Sequence, residues 1–437
     1  MSGPPDPASA PDLQSADIAA REAAHEAFVW ANLKRNYLGH YLHGMMGMTG
    51  FRMFNAPTFL PAYLHELSGS NAIVGLGLGL QQLGGALSPI VGAAFVEHRP
   101  RVMPMAMWIG GLARLAVLGV ALAGWFLFGQ AQIAAIMVCL FLFGFLMAIQ
   151  RVAFAVLMSK VIPIRRRGRL QAWRNATGGV IAAGVAYLAG RFFIEPNLLG
   201  NGYSTTFLLT FVITSFGLSA IRLLMIEPDP PTIRPRMKLG ARLREFPAML
   251  AEARFRDFLI VSMLSVAARM ALPFYVIFAS STMELTGGAL GLLTVAFLAA
   301  DTISGLAWGY LGDHSGFRRT LLIALGLWIA CTLLLMGSSG QVWMVFLAFA
   351  GLGASQAGYT MSVQTLVLEL GSRNEMAMRV GVAATAEGIM AALGPLAGGL
   401  ISVAFGYNVL FSLSIACLTA ALAVLILKVK EPRRREA

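Results

Sequence analysis

The chain has 437 residues, of which 57% are hydrophobic and 12% are charged, and its mean hydropathy is +0.71. Soluble domains carry about a quarter charged residues, so this composition excludes a water-soluble protein. The formal net charge of +12 would suit a nucleic-acid partner if Lys and Arg were clustered on one exposed domain. They lie instead in short breaks between apolar runs, and we expect no nucleic acid as a partner.

Apolar runs of the length that crosses a bilayer, roughly 20 residues, recur along the whole chain. We number the predicted spans 1 to 12 in chain order, near 38–64, 71–96, 102–128, 132–158, 170–192, 204–226, 258–282, 289–312, 319–337, 342–367, 380–403 and 407–428. A long polar break follows the sixth run. The expected fold class is therefore an all-α membrane protein with 12 transmembrane helices in two six-helix bundles, at 38–226 and 258–428.

The basic residues between the spans alternate from one side of the membrane to the other. Lys and Arg are concentrated in the N-terminal segment 1–37, in alternate connections and in the tail 429–437. The positive-inside rule then predicts that both termini are cytoplasmic, in the inner membrane of the cell. In the linker 227–257, residues 238–253 alternate basic and apolar groups at helical spacing. This pattern predicts an amphipathic helix on the inner membrane surface.

The two halves carry an internal repeat. Span 1 reads RMFNAPTFLPAYLHELSG from Arg52, and span 7 reads RMALPFYVIFASSTMELTG from Arg269. Both segments open with Arg-Met, contain a Pro and close on Glu-Leu-Ser/Thr-Gly at nearly the same spacing. Gly75 of span 2 and Gly291 of span 8 continue the alignment. A repeat of this kind is typical of membrane transporters.

A loop motif between spans 8 and 9 points to a known family. The segment 309–319 (GYLGDHSGFRR) resembles GxLxDRxGRR, the loop signature of the major facilitator superfamily, in its second-half position. The first-half counterpart, 93–101 (AAFVEHRPR), departs from the pattern and has an acid, Glu97, where the signature has Asp. The resemblance implies two halves that rock about a midplane site. It also implies a gating role for the loop residues Asp313, Gly316, Arg318, Arg319 and Glu97.

Four charged residues fall deep within spans, where an ionisable group is costly unless it is paired or hydrated. Arg52, Arg269 and Asp301 lie near the middle of spans 1, 7 and 8, and Glu387 lies about one turn from the middle of span 11. We expect the arginines to bind substrate and the two carboxylates to couple transport to protons. A static salt bridge between Asp301 and Arg269 or Arg52 is the alternative. The repeat aligns Asp301 with a glycine, so this acid belongs to one half only.

Further polar groups could line the cavity. Gln356 and Tyr359 are three residues apart and so share one helix face, and Gln82 and Arg151 also lie within spans. We predict that these four residues contact substrate. The alternatives are hydrogen bonds between helices and, for Arg151, the structural role implied by its partial match to a superfamily motif in span 4.

Arginines outnumber carboxylates in the deep membrane zone. Arg114, Arg151 and Arg174 add to the two arginines above, and an excess of guanidinium groups favours an anionic substrate. Two alternatives stay open. Arg114 and Arg174 could pair with backbone carbonyls, and the excess shrinks if Asp301 and Glu387 neutralise one Arg in each half.

These patterns predict a secondary active transporter that moves a small organic solute by alternating access and is coupled to protons. In one interpretation the solute is anionic. The alternatives are a sensor or assembly factor that no longer transports, and a multidrug or lipid exporter. A GPxxGG segment at 394–399 resembles the exporter motif of the superfamily but lies in span 11 rather than span 5. We expect no enzyme activity, cofactor or metal site. The expected partners are the solute, a proton and the lipid bilayer, with the protein a monomer.

Overall fold

The computed structural model of the protein describes residues 10–96, 101–228, 252–369 and 376–429. Glu97 lies outside these ranges, and so does the predicted amphipathic helix at 238–253 apart from its last two residues. An N-terminal helix, Ala10–Ala31, precedes the first span.

The first half contains spans 1 to 6. Span 1 consists of Leu33–Asn55 and Phe59–Ser68, and span 5 continues from its α-helix into a π-helical turn, Gly190–Ile194. The other spans are Asn71–Val96 (span 2), Met103–Phe126 (span 3), Gly129–Val161 (span 4), Ile164–Ala189 (the α-helix of span 5) and Gly202–Leu224 (span 6). A short 3-10 turn, Leu198–Gly200, connects spans 5 and 6.

The second half contains spans 7 to 12. Span 7 consists of Ala253–Ala268, a 3-10 turn at Arg269–Ala271 and the short helix Phe274–Ala279. Spans 8, 9 and 10 are Gly287–Ser315, Phe317–Met336 and Val342–Glu369. Spans 11 and 12 share one helical run, Met376–Leu427, which Gly406 interrupts with a φ of 81° and a ψ of 172°. That positive φ favours glycine and lets the chain change direction between the two spans.

Spans 1 and 7 differ from the continuous helices that the sequence predicted. Span 1 is interrupted at 56–58, around Pro57, and span 7 passes through a 3-10 turn just before Pro273. A proline has no N–H for the helix ladder and disfavours a helical conformation in the residue before it. Arg52 and Arg269 therefore lie next to helix breaks, at equivalent points of the repeat, rather than inside unbroken helices.

The described residues contain nine helices that are long and apolar enough to cross a membrane. The last of these includes both span 11 and span 12, and spans 1 and 2 complete the set of twelve. The predicted fold class, an all-α membrane protein built from two pseudo-symmetric bundles of six spans, is confirmed. Packing follows the repeat, because span 2 packs on span 4 as span 8 packs on span 10, and span 3 packs on span 4 as span 9 packs on span 10.

The most extensive contacts between the halves are made by two helix pairs, spans 2 and 11 and spans 5 and 8. Glycines bring the backbones together: a Cβ at Gly75 would lie 2.2 Å from the Pro395 carbonyl oxygen, and one at Gly190 would lie 2.3 Å from the Gly287 oxygen. The hydroxyls of Thr58 and Thr294 are 2.7 Å apart in the same region. We call this the closed end; the connections 69–70, 195–201 and 280–286 lie there.

The halves separate toward the opposite end. The face of span 8 that meets span 5 at Gly291 and Thr302 continues to Gly305, where a Cβ would have no atom within 4 Å. The face of span 11 that meets span 2 likewise continues to Gly381, which also has open space around it. The cavity between the halves therefore opens toward the end that carries the N-terminal helix. We call this the open end.

Candidate functional site

An ion pair joins the two halves where their contacts stop. Arg52 Nη1 lies 3.3 Å from Asp301 Oδ2 and donates a hydrogen bond to Thr302 Oγ1 at 2.9 Å. The side chains of Arg52 and Asp301 are 22% and 18% exposed, so the pair is largely desolvated and lies at the floor of the cavity. A Cβ at Gly179 of span 5 would lie 2.8 Å from Arg52 Nη1, and the absence of a side chain there leaves room for the guanidinium.

A second charged group lies within the second half. Ser262 Oγ donates a hydrogen bond to Glu387 Oε1, and the Ser262 and Tyr359 hydroxyl oxygens are 3.3 Å apart. Spans 7, 10 and 11 each contribute one of these residues. The network holds the Glu387 carboxylate at a junction of three helices and satisfies the buried Tyr359 hydroxyl.

Arg269 is held by aromatic rings. Its guanidinium carbon lies 4.6 Å from the centre of the Tyr359 ring and 5.9 Å from that of Trp328. It also interacts electrostatically with Glu387. The Arg269 Nε has no hydrogen-bond partner in the part of the chain that the structure describes. Each half therefore contains one arginine next to a carboxylate: Asp301 for Arg52 and Glu387 for Arg269.

The other predicted substrate contacts are not brought together with these charges. Gln356 donates a weak hydrogen bond to Thr360 Oγ1 at 3.4 Å, and its buried Oε1 has no partner among the described residues. Gln82 and Arg151 are exposed, and neither forms a hydrogen bond or ion pair within the described ranges. Of the predicted set, the structure groups Arg269, Tyr359 and Glu387 on one side and Arg52 and Asp301 on the other.

The loop motif between spans 8 and 9 has clear structural roles. Gly316 has a φ of 88° at the tight turn that separates the two spans, a conformation that favours glycine. Arg318 donates three hydrogen bonds, of 3.1 to 3.3 Å, to the carbonyl oxygens of Leu425 and Ile426 in the last turn of span 12. Asp313 and Arg319 are exposed at the same end. The Arg318 contacts lie within one half.

Glu227 holds several elements together at the open end, and the sequence reasoning missed it. Its carboxylate accepts hydrogen bonds of 2.8 Å from the Val102 and Met103 N–H groups at the start of span 3, and Lys160 Nζ lies 3.0 Å away. A carboxylate at a helix N-terminus is stabilised by the unpaired N–H groups there. The sequence feature that could have indicated Glu227 is an acidic residue directly after span 6, next to Pro228. Ser262 and Thr302 were also missed, because single hydroxyl residues in apolar spans carry no distinctive pattern.

Two six-span bundles that face each other across a charged cavity define a polytopic transporter fold. The family model described as the Major Facilitator Superfamily matches residues 42–283 and 258–437. The chain belongs to this superfamily, a family of membrane transporters rather than enzymes.

One curated relative is the Multidrug resistance protein MdtG of Escherichia fergusonii, 29% identical over 164 residues, which are 37% of this chain and 39% of that protein. The match thus spans about two-fifths of the relative. Among solved structures, a D-xylose-proton symporter superposes with a TM-score of 0.73 at 13% identity, over 92% of this chain and 99% of the symporter. The nucleoside transporter NupG gives 0.66 at 13% identity, over 89% and 97%. These likenesses show the fold.

Proposed function

We propose that this protein is a secondary active transporter that moves a small organic solute by alternating access and is coupled to protons through Asp301. The observation that carries the proposal is the ion pair between Arg52 and Asp301, which joins the two halves at the floor of the cavity. Alternating access requires the halves to separate at the closed end, and this pair must break when they do.

Protonation offers a route to breaking the pair. A neutral Asp301 no longer attracts the Arg52 guanidinium, so a proton on this carboxyl weakens the bridge between the halves. A proton that enters in one access state and leaves in the other would then be moved once in each cycle. Glu387 is a second carboxylate in the cavity wall, but its hydrogen bond to Ser262 lies within one half. We therefore assign coupling to Asp301 first and to Glu387 as a supporting site.

The charge balance of this site does not favour an anionic solute. Arg52 is paired with Asp301, and Arg269 interacts with Glu387 and two aromatic rings. An anion at either arginine would have to compete with a carboxylate of the second half, Asp301 at Arg52 and Glu387 at Arg269. We propose that a solute without net charge fits these groups better than an anion does, with Gln356 and Gln82 as further proposed contacts.

Export of multidrug-type compounds is the second candidate. The observation that favours it is the partial match to MdtG, a protein named for multidrug resistance. A sensor or assembly factor that no longer transports is less well supported, because it has no need for an ion pair that must break between moving halves.

Reconstituted protein tests the coupling. A thermal-shift screen against nucleosides, sugars, carboxylates and hydrophobic cations would first select a transported solute. In liposomes with a pH gradient, we expect the wild type to accumulate this solute and Asp301→Asn to lose gradient-driven accumulation, while exchange of labelled for unlabelled solute persists. Exchange persists because an amide cannot be ionised but still permits the halves to move.

The matched control is Glu22→Gln, which neutralises an exposed carboxylate on the N-terminal helix, away from the cavity. It should accumulate solute as the wild type does. Full gradient-driven accumulation in Asp301→Asn would remove this residue from the coupling mechanism.

A further inference from the structure

The first half contains a second cluster of basic side chains, away from the Arg52–Asp301 pair. His40 and His43 of span 1 lie beside Arg174 of span 5, and Arg114 of span 3 interacts electrostatically with His43. His40 and Arg114 are each 1% exposed and His43 is 7% exposed, so these groups are removed from solvent. The ring of Phe154 stacks on His43 at a centroid distance of 4.3 Å.

The position of Arg174 is determined by a glycine. A Cβ at Gly44 would lie 1.5 Å from Arg174 Nε, so the guanidinium occupies the space that a side chain at this position would fill. Gly44 lies four residues after His40 and one residue after His43. The absence of a side chain at Gly44 thus lets the Arg174 guanidinium of span 5 approach span 1 beside the two histidines.

The polar atoms of the cluster are incompletely satisfied by the chain. Arg114 donates to the backbone oxygens of Thr214 and Gly110 at 2.7 and 2.6 Å, so it pairs with carbonyls, but its Nη2 has no partner within the described ranges. Arg174 Nε, both ring nitrogens of His40 and Nδ1 of His43 also lack a hydrogen-bond partner among the described residues. Buried donors of this kind normally have a partner.

None of the described carboxylates forms an ion pair with the arginines of this cluster, Arg114 and Arg174. The Arg114 guanidinium is buried and the Arg174 guanidinium is half-buried, and the hydrogen bonds of Arg114 to carbonyl oxygens and of Arg174 Nη1 to Gln171 offset only part of their desolvation. A small anion would supply an opposite charge and further hydrogen bonds.

We propose that this cluster is an anion-binding site in the first half, formed by Arg174, Arg114, His40 and His43, that takes a small anion such as chloride, phosphate or a free carboxylate. The guanidinium and imidazole N–H groups would donate to its oxygen atoms or to a halide. This site stands apart from the coupling pair and does not depend on the transport mechanism proposed above.

Thermal unfolding of the purified protein in detergent tests the site. Sodium chloride, sodium phosphate and sodium acetate are titrated separately, with sodium isethionate keeping the ionic strength constant. We expect at least one of the three anions to raise the midpoint temperature of thermal unfolding of the wild type, and this rise should saturate with anion concentration. Arg174→Gln should weaken its apparent affinity by about tenfold or more, since hydrogen bonds to charged groups are lost. Preference for acetate indicates a carboxylate ligand, and preference for chloride or phosphate indicates an inorganic ion.

Gly44→Ala provides a second variant that keeps every charge but displaces the Arg174 guanidinium, and it should weaken binding as Arg174→Gln does. Its matched control is Gly47→Ala, one turn further along span 1, where a Cβ meets no atom within 4 Å. Gly47→Ala should bind as the wild type does. If Arg174→Gln fails to fold, the comparison of Gly44→Ala with Gly47→Ala tests the site instead. Broadening of the chloride NMR line by the wild type then reports chloride binding independently of unfolding. The proposal is overturned if no anion stabilises the wild type saturably, or if Gly44→Ala binds as well as Gly47→Ala.

Discussion

Arg52 and Arg269 occupy equivalent positions of the repeat, and yet their surroundings differ. Arg52 reaches across to Asp301 in the other half, whereas Arg269 lies over the Tyr359 and Trp328 rings of its own half. The difference follows from Asp301, since the repeat places a glycine at the corresponding point of the first half. One arginine therefore links the halves, and the other stabilises a single bundle.

The aromatic contacts of Arg269 lead to a prediction. Arg269→Lys keeps the charge but loses the planar guanidinium that stacks on the Tyr359 ring. We expect the variant to lose about 0.5 to 1 kcal/mol of unfolding free energy, a part of the cation–π contribution, because an ammonium group still attracts the ring but does not stack on it. Reversible unfolding in mixed micelles measures this loss. The control Arg256→Lys changes an exposed residue of the same span and should unfold as the wild type does.

Among the elements, the last turn of span 12 depends on a side chain from the start of span 9. Arg318 donates to the carbonyl oxygens of Leu425 and Ile426, which have no partner within their own helix. A cation at this end also complements the helix dipole. The loop motif thus stabilises the second bundle, in addition to the gating role that the family resemblance implies.

Removing this side chain should destabilise the second half. We expect Arg318→Ala to lose about 1.5 to 3 kcal/mol of unfolding free energy, as for hydrogen bonds from a charged group. Hydrogen exchange measured by mass spectrometry should show faster exchange near 420–427, where the helix end loses its partner. Arg319→Ala, in the exposed neighbouring position, should leave exchange in this segment unchanged. Equal exchange in both variants would contradict the capping role.

At the scale of the whole molecule, glycines determine which end is closed. Gly75 and Gly190 let spans 2 and 5 approach spans 11 and 8 at backbone distance, and no comparable contact is made at Gly305 or Gly381. Small residues are the usual means by which membrane helices pack closely. The halves are therefore in contact at one end, and the cavity between them is open toward the N-terminal helix.

Gly190→Ala should shift the equilibrium between access states. Its Cβ would lie 2.3 Å from the Gly287 oxygen and 2.7 Å from the Gly291 Cα, so the closed end must loosen. Spin labels at positions 199 and 284, exposed residues at the closed end of each half, should report longer distances in this variant by double electron–electron resonance. Gly184→Ala, in the same span but with no atom within 4 Å of its Cβ, serves as the control. Identical distance distributions would contradict the role of Gly190.

Most of the fold was predictable because span length and hydrophobicity are local properties. The prolines that interrupt spans 1 and 7 were also visible, although their effect on Arg52 and Arg269 was not anticipated. The residues of the site were harder to predict from the sequence. Sequence reasoning selected Asp301 and Glu387 by their depth in the membrane, but it could not choose between Arg52 and Arg269 as the partner of Asp301. It also passed over Ser262 and Thr302, whose hydroxyls matter only because a charged group lies next to them.

The sequence by itself determined the twelve spans, their division into two related halves and the membrane depth of the charges. These follow from the cost of placing polar groups in hydrocarbon, which each segment experiences on its own. Only the tertiary structure decided that Arg52 pairs with Asp301 across the halves and that one end of the cavity is closed. Such contacts join residues that are far apart in the sequence, 250 positions in the hydrogen bond from Arg52 to Thr302, and they depend on how whole helices pack.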